Sequence, residues 1–155
     1  MRKTTWPDLA APFLILGITA YVLLRVSYDS VPPLGTLVPV PLAALAVVEL
    51  VVARRVRLAV RHDPYAKPMT AIAIARCVAL GKASSLVGSA VAGVAAALLV
   101  RVVPEADTVT AARSDARVGI FLLAAAIGVC VAGVVLERAG IDPNRDRRDR
   151  LDDAV

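Results

Sequence analysis

Four uncharged apolar runs alternate with charged segments along this chain: Leu9–Leu24, Ser30–Val48, Ala83–Val100 and Val118–Leu136. A bilayer core about 30 Å thick needs roughly 20 helical residues to cross it, with about 17 as a working minimum. Three runs reach that length. The first is slightly short, but it ends at Arg25, whose stem can snorkel to the headgroups. The pattern predicts an all-α fold, an integral membrane four-helix bundle. The expected helices cover about 9–26, 36–53, 70–103 and 118–137, in one transmembrane domain over 1–140. Residues 141–155 alternate Arg with Asp and carry too little apolar content to pack, so a disordered cytoplasmic tail is expected.

Local signals refine these elements. Trp6 sits where an interfacial anchor belongs, with Tyr21 and Tyr28 towards the other interface. Pro12 falls in a first turn, where its missing donor costs little. Pro32, Pro33 and Gly35 predict a tight turn. Arg54, Arg57 and Arg61 repeat at i, i+3, i+7, which puts them on one face, with Val56 and Val60 elsewhere. The second helix is therefore expected to continue as a basic extension until His62–Pro68 breaks it. Arg101–Arg117 reads as a mixed-charge loop containing Pro104. Arg2 and Lys3 resemble a signal-peptide start, but no small-x-small site follows the first run, so an uncleaved helix is expected.

Composition narrows the function classes. Of 155 residues, 58% are hydrophobic, and four spans with short connections leave no room for a separate soluble domain. The net charge of +5 is concentrated in loops and tail, which points to membrane orientation and anionic lipid headgroups. No basic stripe interleaved with aromatics suggests nucleic acid. The Arg-over-Lys bias, with abundant Ala and Val, suggests a GC-rich bacterial genome. Lys and Arg cluster at the start, in the Arg54–Lys67 loop and in the tail, and are few in the other two loops. Both termini are thus predicted cytoplasmic, in a multi-pass protein of the cell membrane. Cys77 and Cys130 read as small packing residues, and the lone His62 has no companions at metal-ligand spacing, so neither a metal nor a cofactor is expected.

The strings Val47-Val48-Glu49-Leu50 and Ala75-Arg76-Cys77-Val78-Ala79-Leu80-Gly81-Lys82-Ala83-Ser84, with the short Pro-containing first outer loop, carry a family resemblance. Over most of residues 5–140 the chain resembles the small four-span actinobacterial membrane proteins of family DUF3180. The resemblance implies four spans and frequent genomic proximity to folate-biosynthesis genes. It implies no established activity.

Three constellations remain. Glu49, Arg76 and Lys82 are the ionisable side chains expected inside the cytoplasmic half of the bilayer, where such groups are costly. They read either as an architectural ion pair, Glu49 with Arg76 or Lys82, or as a substrate or proton site. Gly81, Ser85, Ser89, Gly93 and Ala97 recur every four residues, beside a second row of Ser84, Gly88, Ala92 and Ala96. Small residues allow close helix approach in lipid. Ala124, Gly128 and Ala132 supply a matching face, so helix three is expected to pack on helix four, with homodimerisation as the alternative. Arg54, Arg55, Arg57 and Arg61 read as a lipid-headgroup or partner contact, or as a topology signal alone. Gly81-Lys82-Ala83 is not a P-loop, since Arg76 and Ala83 stand where that motif needs Gly and a hydroxyl. No nucleophile, base and acid assemble, so catalysis is not expected. The leading expectation is a non-enzymatic accessory or assembly subunit acting through helix and lipid contacts, within a homodimer or larger membrane complex. The alternative is a small oligomeric transporter using the Glu49, Arg76 and Lys82 cluster.

Overall fold

The computed structural model describes residues 4–27, 35, 37–61, 69–105 and 110–141. They form four helices, α1 (Trp6–Ser27), α2 (Pro39–Val60), α3 (Ala71–Val102) and α4 (Thr110–Ala139), with one 3-10 turn, Val103–Glu105, after α3. The tail beyond residue 141 lies outside the described residues, as do 28–34, 36, 62–68 and 106–109.

Two helices start before their expected positions, for local reasons. At α1 the Thr5 N–H and hydroxyl both donate to the Asp8 carboxylate, at 2.9 Å and 2.7 Å. This is half of a capping box, with Pro7 in the first turn, and it sets the start at Trp6. α4 begins at Thr110, inside the segment expected to be a loop. Ala112 and Ala116, one helical turn apart, are buried against Leu98 and Val102 of α3, so packing extends the helix through charged sequence. At α3, by contrast, Thr70 caps the first turn by accepting from the Ala73 N–H, close to the expected start. α2 opens with Pro39 and Pro41 in its first turn, and closes with the Arg61 N–H bonded to the Arg57 carbonyl.

α3 and α4 are the central pair. α1 packs on α3 and α2 on α4, while α1 and α2 make no contact among the described residues. The helices alternate in direction. Thr4 bonds to Glu137, and Val60, Met69 and Ile74 pack with Leu136 and Ala139. The entry to α1, the end of α4 and the α2–α3 junction therefore share one end of the molecule. At the other end Leu24, Leu98, Val102, Ala112 and Ala116 pack together.

Three helical segments, Trp6–Val26, Ala71–Val102 and Ala112–Ala139, are long and apolar enough to cross a membrane. α2 differs from the expectation: only Pro39–Ala53 precedes the Arg54-Arg55 pair, and Glu49 lies within it. Of the run before Pro39, Gly35, Leu37 and Val38 are described and residues 30–34 and 36 lie outside the described residues. The residue distribution is inverted relative to a water-soluble fold. Ala, Gly and Ser fill much of the interior, while Leu14, Ile15, Ile18, Val47, Val48, Val87 and Phe121 are exposed. Large apolar side chains facing outward over small ones is the arrangement that lipid favours.

Candidate functional site

The small-residue ladder divides between two partners. A Cβ at Gly81 would stand 2.7 Å from the Gly133 carbonyl oxygen, and one at Gly133 only 2.7 Å from the Ser85 nitrogen. One at Gly88 would meet the Cys130 nitrogen at 2.6 Å. These positions let the α3 and α4 backbones touch. Ser85 and Ser89 are buried along the ladder, and each hydroxyl donates to a carbonyl three residues back, at 2.9 Å to Lys82 and 2.8 Å to Leu86. Their polarity is thus absorbed within the helix.

Two expectations for this ladder are corrected. Gly93 faces α1, where an added Cβ would collide with the Phe13 carbonyl, and Gly17 meets it from the other side, its own Cβ position 3.2 Å from the Gly93 oxygen. Gly128 faces α2: a Cβ there would meet that of Ala46 at an ordinary 3.6 Å. A single four-residue row therefore does not serve one interface. Side chains at i and i+4 drift around a 3.6-residue helix, so Gly93 has rotated away from the α4 side that Gly81 occupies.

Glu49 stands at the middle of α2, in a seam with Ala46, Ala53 and Val56, all buried. The 3-4-3 spacing of these positions keeps them on one face, which packs against α4. Glu49 is only 1% exposed. The Ser84 side chain of α3 lies beside it, yet neither carboxylate oxygen has a hydrogen-bond partner. Arg76 and Lys82 are both exposed on α3, and neither bonds to Glu49. The ion pair expected from sequence does not form. Its physical reason is the helix order: α2 leans on α4 and touches α3 lightly, and Lys82 is turned off the buried Gly81–Ser85 row. An unpaired polar group out of water is costly, which makes Glu49 the residue of first interest.

Arg54, Arg55, Arg57 and Arg61 are all exposed on the last turns of α2, while Val56 between them is fully buried. The extension is two-faced, basic outside and apolar against Leu136 and Ala139. Sequence reasoning missed Glu137, which is buried and accepts from the Thr4 N–H at 2.8 Å and from the Thr4 hydroxyl. The available signal was its position four residues after Gly133, on the face turned to α3. Asp115, also buried, was likewise hidden in the supposed loop. Cys77 and Cys130 are free thiols, half-buried. Among the described residues no three His, Cys, Asp or Glu side chains gather as a metal site would require. His62 lies outside the described residues.

No curated protein and no solved structure matches the chain. A family model described as a protein of unknown function, DUF3180, matches residues 9–143, and the chain belongs to that family.

Proposed function

We propose that this is a non-enzymatic integral membrane protein of the cell membrane, an accessory or assembly subunit that acts through helix and lipid contacts. The observation that carries the reading is the inverted packing, a small-residue interior beneath large outward apolar side chains. α1 and α2 each lean on a single main neighbour and leave broad apolar flanks, Leu14, Ile15 and Ile18 on one side and Leu45, Val47 and Val48 on the other. Such flanks suit lipid or the helices of a partner subunit. In this reading the end that holds Thr4, Arg57 and Arg138 is cytoplasmic, in line with the excess of Lys and Arg there.

The transporter reading has one observation in its favour, the carboxylate of Glu49 without a hydrogen-bond partner. Two measurements separate the readings. Photo-crosslinkers at Ile18 and Leu45 in native membranes should trap one partner at fixed stoichiometry, and its complex should fail to assemble without this chain. Solute flux in proteoliposomes of the purified protein, abolished by Glu49→Gln, would overturn the accessory role.

A further inference from the structure

α1 and α4 both pack on α3, and a groove of about 570 Å³ opens between them. Ser89 and Ala92 of α3 form its floor. Its walls are apolar, with Phe13 on the α1 side and Val131 on the α4 side. Val131 is 54% exposed, so this wall is open to the surroundings. One end of the groove is polar, lined by Thr5, Trp6 and Arg138. Trp6 is 85% exposed. Glu137, next in sequence to Arg138, is engaged by Thr4. The Arg138 carbonyl accepts from the Ile141 N–H, but no hydrogen bond or ion pair engages its guanidinium among the described residues.

We propose that this groove binds one anionic phospholipid, with an acyl chain over Ser89 and Ala92 and the phosphate on Arg138. Three features select that occupant. The groove's α4 wall runs from Ile127 to Arg138, about 16 Å at 1.5 Å per residue, which matches half of a ~30 Å hydrocarbon core. The guanidinium presents a planar fork of donors that suits a phosphate. Trp6 stands at the same level, where an amphipathic ring meets headgroups. The site is separate from the Arg54–Arg61 strip, and it combines a tail slot with a single cation rather than a diffuse basic surface.

The proposal rests on the membrane reading above, and the test separates the two. The full chain in detergent, stripped of native lipid, is mixed with phosphatidylglycerol or phosphatidylcholine and examined by native mass spectrometry. The wild type should bind one phosphatidylglycerol at least fivefold more tightly than phosphatidylcholine, about the value of one Arg near anionic lipid. Arg138→Gln should erase that preference and Arg138→Lys should retain part of it. Val131→Trp, at an exposed wall position, should fill the slot and lose the bound lipid of both kinds while the protein stays folded. Equal affinities for the two lipids, an unchanged preference in Arg138→Gln, or undiminished binding in Val131→Trp would each overturn the proposal. A dimer abolished by Val131→Trp would assign the groove to a second copy and also overturn it. Flotation of the chain with vesicles of either composition reports on the membrane reading alone.

Discussion

The two interfaces of α4 are built on different principles. Towards α3, Gly133 meets Gly81 and Ser85, and Cys130 meets Gly88, at distances that leave no room for a methyl group. Towards α2, Gly128 meets Ala46 with room for one, and the seam is filled by side chains, Ala46, Ala53, Val56 and the carboxylate of Glu49. The first interface gains from backbone proximity and dispersion contact, and it tolerates no added volume. The second accommodates small changes in volume but holds a polar group without a hydrogen-bond partner. The close backbone approach and the buried carboxylate therefore belong to different interfaces of one helix.

The largest effect should come from Gly133→Leu. The new side chain would be driven into the α3 backbone, at a cost of about 3 kcal/mol or more, the upper end for overpacking. Gly128→Ala should stay within about 0.5 kcal/mol. Thermal unfolding of the detergent-solubilised variants measures both, and equal losses would erase the contrast between the two faces. Gly93→Leu, at about 1–3 kcal/mol, should loosen α1 while α3 and α4 stay together. Protease cleavage near Ser27 that releases α1 from a still-folded remainder checks this outcome.

Thr4→Val should cost about 2 kcal/mol, the range for a hydrogen bond to a charged group. It removes the hydroxyl donor to Glu137 and leaves a buried oxygen less well satisfied. Glu49→Leu should act in the opposite direction. With no hydrogen-bond partner to strand, replacing the carboxyl by a hydrocarbon of similar reach should raise stability by about 1–3 kcal/mol. Lys82→Gln should leave the Glu49→Leu gain unchanged in a double-mutant cycle, whereas coupling above about 0.5 kcal/mol would restore the ion pair.

Much of the helical framework was legible because its signals are local. Thr70 before an apolar, Ala-rich segment and Pro104 after it delimit α3 closely. The start of α4 was not legible, because Arg113, Asp115 and Arg117 mask the Ala112 and Ala116 positions that pack on α3. The small-residue ladder was visible as a spacing. Its partition between α1 and α4 was not, since both partners offer glycine and a four-residue repeat drifts from one to the other. The exposure of Arg54, Arg57 and Arg61 opposite Val56 followed from periodicity. The environment of Glu49 did not, because it depends on the relative order of three helices. Thr4 and Glu137 lie 133 residues apart, and no local pattern links them.

We propose a membrane protein whose two ends face opposite sides of a bilayer. Single cysteines at Arg57 and Ser114, in a chain with Cys77 and Cys130 replaced, test it with a membrane-impermeant maleimide on intact cells. Both positions are exposed, one at each end of the molecule. Ser114→Cys should be labelled in intact cells, and Arg57→Cys only after permeabilisation. Equal labelling of the two in intact cells, or labelling of Arg57→Cys alone there, would overturn that topology.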